Sequence, residues 1–228
     1  MELNFDERRV AGTLIEKGYT TPLQYPLTMN SLVTGSSQKS CRNPVISLDE
    51  ERVFLAVDGL RKKGLCTLVQ IQGSHTDRWK HRFSDTLGLE DREIAVLGEL
   101  LLRGPQTDGE LRQNASRMVK IESLEQVAQI LAKLMARDPP LAVRLSPEGR
   151  KRGVRYAHTL YPHDELEELR RREATADAAL PPEGADPGAP AAAGPASTLR
   201  QELEALRGEV ESLKARMEKL EAALGGPG

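Results

Sequence analysis

Four histidines and two cysteines are the side chains here best suited to acid–base, nucleophilic or metal chemistry: His75, His81, His158, His163, Cys41 and Cys66. Their spacing assembles none of it. Cys41, Cys66, His75 and His81 lack a zinc-ligand spacing, and the cysteines form neither a CxxC pair nor a disulfide framework. No GxxxxGK[ST] loop, GxSxG elbow or HExxH occurs. His81 and His158 instead sit inside an echo, Trp79-Lys80-His81-Arg82-Phe83 and Tyr156-Ala157-His158-Thr159-Leu160, 77 residues apart. This aromatic-x-His-x-apolar pattern predicts a structural hydrogen bond repeated in two strands. The chain reads as a non-enzyme without metal or cofactor.

The remaining chemistry is that of phosphate contact. Lys39 and Arg42 form one basic group. Arg78, Lys80 and Arg82 alternate along a strand and so share a face. Arg150, Lys151, Arg152 and Arg155 form a third group. These residues are the candidate contacts to double-stranded DNA. Residues 1–160 carry 24 Lys/Arg against 20 Asp/Glu, and residues 161–228 carry 8 against 14. The front is mildly basic and the tail acidic, which places any nucleic-acid contact in the front.

Capping boxes locate the elements that must hold these residues. Asn4…Glu7 opens a helix running to about Lys17, with Gly18 as its stop. Ser47…Glu50 opens another to Lys63, stopped by Gly64. Between them Leu27–Val33 reads as a short helix. Val53, Val57 and Leu60 form an apolar stripe on the third helix. The period then changes: Leu65–Ile71 and Arg78–Phe83 read as strands of a hairpin. Three helices and a hairpin make a winged helix, a helix-turn-helix relative. The order recurs with Glu90–Arg103, with helices capped at Thr107 and Ser123, and with strands Leu141–Leu145 and Val154–Leu160. A repeat of this length predicts two copies of one domain, 1–84 and 85–162. The fold class expected is mainly α with small β-hairpins (α+β): two tandem winged-helix domains and a C-terminal coiled-coil helix.

Residues 163–173 read as an exposed helix. Residues 174–197 contain 10 Ala, 5 Pro and 3 Gly, and so predict a disordered linker. Over 198–225, Leu199, Leu206, Leu213 and Leu220 alternate with Leu203, Val210, Met217 and Leu224 in heptads. The flanking pairs Glu202 with Arg207, Glu209 with Lys214, and Arg216 with Glu221 are opposite in sign for a parallel pair. A parallel homodimer follows; the alternative is one amphipathic helix folding back on its own domains.

Several blocks carry a further signal: Gly12-Thr13-Leu14-Ile15-Glu16-Lys17, Thr20-Thr21-Pro22-Leu23-Gln24-Tyr25-Pro26-Leu27, Gln38-Lys39-Ser40-Cys41-Arg42-Asn43-Pro44-Val45 and Arg103 to Arg112. Together they resemble the YceH-like family of uncharacterised bacterial proteins over about residues 5–160. The resemblance implies a tandem winged-helix fold and no settled activity. Where that family's pattern has asparagine, this chain has Ser37 and Cys41.

A winged helix reads DNA with the start of its third helix, yet here that segment begins Asp49-Glu50-Glu51 and, in the second copy, Glu125-Gln126. Carboxylates there repel phosphate. The leading expectation is therefore a DNA-binding or transcription-associated protein contacting the backbone through wings and pre-helix loops. The alternative is a protein–protein interaction scaffold without nucleic-acid binding. The acidic N-terminus lacks a signal-peptide core, no apolar run spans a bilayer, and unpaired cysteines suit a cytoplasmic setting.

Overall fold

Asn4 Oδ1 accepts a hydrogen bond from the Glu7 N–H at 2.9 Å, and the Glu7 carboxylate accepts from the Asn4 N–H at 2.8 Å. This reciprocal cap starts α1, Phe5–Thr20. The structure is a computed structural model describing residues 1–178 apart from 71, 72, 74, 75 and 151. His75, Lys151, the linker beyond residue 178 and the coiled coil over 198–225 lie outside the described residues.

Gly18 does not stop α1. Hydroxyls of Thr20 and Thr21 donate to the Glu16 and Lys17 carbonyls and close the last turn instead. After a 3-10 turn at Pro22–Gln24 come β1 (Leu27–Thr28), α2 (Met29–Ser36) and α3 (Glu50–Lys62). The cap of α3 is Asp49, whose carboxylate accepts from the Arg52 N–H at 2.9 Å, rather than Ser47. β2 (Cys66–Val69) and β3 (Arg78–His81) complete an antiparallel sheet ordered β1-β3-β2. The strands are shorter than the sequence suggested, and Leu27–Thr28 pairs with Arg78 and Trp79 instead of joining a helix.

A short helix, α4 (Phe83–Leu87), leads into the repeat. This comprises α5 (Asp91–Arg103), β4 (Gln106–Thr107), α6 (Asp108–Ala115), α7 (Leu124–Met135), β5 (Ala142–Arg144) and β6 (Arg155–His158). Its sheet runs β4-β6-β5, the same order as the first. The described residues thus form a mostly helical α+β protein with eight α-helices and two small three-stranded antiparallel sheets.

The two halves share one core. Leu14 and Ile15 of α1 are buried with Leu97 and Leu100 of α5, each such side chain stabilising by roughly 1.5–3 kcal/mol. Gly12 and Gly98, the eighth residue of α1 and of α5, permit this seam. A Cβ at Gly12 would stand 2.7 Å from Leu102 Cγ, and one at Gly98 would stand 2.7 Å from Ile15 Cγ2. The stripes Val53, Val57, Leu60 on α3 and Val127, Leu131, Leu134 on α7 face inward.

The last helix among the described residues, α8, runs His163–Ala178. It extends past residue 173 into the expected linker and is not wholly exposed. Leu166 and Leu169 pack on Leu145, Ala157 and Tyr161, and Glu173 is buried, accepting from Ser146 Oγ at 3.0 Å.

Candidate functional site

The basic side chains divide by what already holds them. Arg42 is a correction: its side chain is 0% exposed. It donates to Glu16 Oε2 at 2.5 Å, to the Gly35 carbonyl at 2.8 Å and to the Cys41 carbonyl at 2.8 Å. A guanidinium so enclosed can reach no phosphate. The cause is that the loop before α3 folds back over α1, where Glu16 needs a partner.

Arg78 and Arg155 play one part twice. Each lies on the central strand of its sheet, opposite Thr28 and Thr107 respectively. Arg78 Nη1–H donates to the Pro26 carbonyl at 3.0 Å, and Arg155 Nη2–H donates to the Pro105 carbonyl at 2.7 Å. Each therefore ties the short edge strand to the hairpin. Arg150 and Arg155 also converge on the Glu173 carboxylate, at 3.6 and 3.5 Å, so α8 engages two of the second hairpin's arginines.

Exposed cations remain at Lys39, Lys80, Arg82 and Arg152. Arg82 lies beyond the end of β3 rather than on it, and pairs with Asp85 at 3.3 Å. Arg78 and Lys80 do share a strand face.

The echoed histidines occupy matching ladder positions, opposite Cys66 and Ala142. The hydrogen bond is not repeated. His158 Nδ1 accepts from the Leu160 N–H at 3.1 Å, while the ring stacks on Tyr161 with centroids 3.9 Å apart. His81 packs among Tyr19, Tyr25 and Phe83, and its Nδ1 has no partner. Burial pushes the His81 imidazole down to about 4. Burial, reinforced by the nearby Arg8 charge, holds His158 well below the ordinary range. Both rings are neutral packing elements at pH 7.

One further surface carries no sequence motif. On α3, Phe54 and Leu55 are 55% and 62% exposed, beside the exposed carboxylates Asp49, Glu50 and Glu51. The signal was present, because both residues fall off the Val53-Val57-Leu60 stripe. On α7 the matching face carries exposed Leu124, Glu125, Ala128, Gln129 and Ala132. Neither helix presents arginine or lysine in its first two turns except Arg52, which Asp6 holds at 2.7 Å. Among the described residues no His/Cys/Asp/Glu group could hold a metal ion. No described helix is long and apolar enough to cross a membrane.

A repeated order of elements around one shared core defines a two-copy α+β protein. The chain belongs to the DUF480 family, described as proteins of unknown function, whose model matches residues 3–154. It is 46% identical over 162 residues to a UPF0502 protein of Koribacter versatilis, covering 71% of this chain and 75% of that one. It is 48% identical over 160 residues to a UPF0502 protein of Pelobacter propionicus, covering 70% and 73%. A UPF0502 protein of Geobacter sulfurreducens is 45% identical over 183 residues, covering 80% of each.

Proposed function

We propose that each α-β-α-α-β-β copy is a winged helix of the YceH-like kind, and that the pair works as a protein-docking module rather than as an enzyme. The observation carrying this reading is Phe54 and Leu55, exposed on an acidic third helix. In a DNA reader that helix enters the major groove, where its carboxylates would be repelled. Exposed aromatic and aliphatic side chains rimmed by like charge instead suit a basic amphipathic segment of another protein. A photo-crosslinker at position 55 in cells tests this. A discrete protein adduct, lost on Phe54→Ser, is expected; an adduct to nucleic acid alone would overturn it.

A second reading has its own support. Lys39, Lys80, Arg82 and Arg152 stay exposed and could contact a phosphate backbone without reading bases. Salt-dependent anisotropy with duplex DNA, lost on K80Q/R82Q, is the expected result for that reading. No binding at low salt removes it. The heptads over 198–225 support a parallel homodimer, and the free thiols Cys41 and Cys66 support a reducing cytoplasmic setting. Sedimentation of the intact chain as a monomer would remove the dimer.

A further inference from the structure

A cleft of about 340 Å³ opens between the start of α1, the C-terminal end of α5 and α8. That volume lies in the range of small-molecule sites. Its walls include four guanidinium groups, Arg8, Arg9, Arg103 and Arg172, against one carboxylate, Glu165. Arg8 is matched to Glu165 at 2.6 Å. The other three are differently placed.

Arg9 is 2% exposed and satisfied only by carbonyl oxygens, of Ser36 at 3.2 Å and Pro44 at 2.6 Å. Burial, and then the like charge of Arg42, push it down to about 10, so it stays cationic at pH 7. A buried charge with no carboxylate ion pair is costly; enclosed as it is, Arg9 touches no ligand and favours an anion in the cleft only through its charge. Arg103 and Arg172 use only their Nε–H, toward Glu99 at 3.2 Å and Glu168 at 2.9 Å. Their terminal nitrogens face no protein partner among the described residues. Aromatic rings hold the first two arginines in place. Phe5 lies 5.8 Å from Arg8 and 5.6 Å from Arg9, and Tyr161 lies 4.5 Å from Arg8. Such stacking fixes a guanidinium before a ligand arrives.

We infer that this cleft binds a small phosphorylated compound, its phosphate held by the forks of Arg103 and Arg172 with Arg9 supplying the deepest positive charge. Guanidinium forks match phosphate bidentately. A tetrahedral dianion offers oxygens to more than one fork, whereas a carboxylate offers two. Leu101, Leu169 and Pro44 supply an apolar wall for the organic part. The site is separate from the α3 face and does not depend on the docking reading.

Calorimetric titration of the full chain with adenosine monophosphate and with pyrophosphate tests the inference. Saturable binding of at least one is expected. R103Q/R172Q should weaken it at least tenfold, and R172Q alone, which removes only a surface pair with Glu168, should weaken it with an unchanged thermal midpoint. Three results overturn it: no heat with either probe at millimolar concentration, equal affinity in the double variant, or binding of duplex DNA without response to the small probes.

Discussion

Glu16 on α1 and Arg117 in the turn after α6, 101 residues apart in the chain, form an ion pair. The same Glu16 carboxylate holds Arg42, and Arg117 also bonds Glu99, which takes Arg103 as well. Burial alone would raise the Glu16 carboxyl, but hydrogen bonds and charge from Arg42 and then Arg117 hold it below its ordinary value. Glu16→Gln leaves a fully buried Arg42 without its carboxylate and should cost about 3–5 kcal/mol. Arg117→Gln leaves the Glu16–Arg42 pair intact and should cost clearly less. Urea unfolding at pH 7 checks the order; equal losses would contradict it.

The glycine seam gives a contrast within one experiment. Gly98→Ala drives a methyl to 2.7 Å from Ile15 Cγ2 and should cost about 1–3 kcal/mol by overpacking. Gly109, in the first turn of α6, has nothing within 4 Å of the same added atom. Gly109→Ala should stabilise by about 0.5–1 kcal/mol. Thermal unfolding of the two variants should move in opposite directions.

Stability should fall on mild acidification. His81 and His158 are held below their ordinary value when folded, so beneath about pH 6.5 the unfolded chain binds protons that the folded chain refuses. Each such histidine contributes a slope of about 1.4 kcal/mol per pH unit. That loss begins near pH 6.5 and, for His81, ends near its folded value of about 4. The depressed Glu16 carboxyl adds a loss as pH drops through its folded value. Urea midpoints from pH 8 to 4.5 should be flat above 7 and decline below 6.5, and His81→Gln should shallow the decline. A flat profile throughout would contradict both burials.

Cys41 has φ of +57°, a left-handed backbone that costs most residues roughly 1–2 kcal/mol and that asparagine tolerates. Cys41→Asn should raise stability by about 0.5–1 kcal/mol, read as a higher thermal midpoint. No change would mean that the loop relaxes without cost.

The elements that obey local rules were legible in the sequence. Asn4 and Thr107 cap their helices as the boxes require, and the apolar stripe of α3 faces the core. The edge strands β1 and β4 were not, because two residues carry no periodicity and their pairing is made by distant Arg78 and Arg155. Arg42 was misjudged for a related reason: a loop arginine beside a lysine looks solvated until Glu16, far along the chain, claims it. The arginine cleft was invisible because α1, α5 and α8 contribute one residue type from three separated segments.

The close packing of α1 on α5 also decides what sort of recognition the molecule can perform. Two beads joined by a tether can slide to suit whatever they meet. Two lobes welded through Gly12, Gly98 and a shared set of ion pairs cannot. The span between the exposed faces of α3 and α7 is then a fixed gauge, and on the docking reading a partner touching both must carry its own two features at that separation.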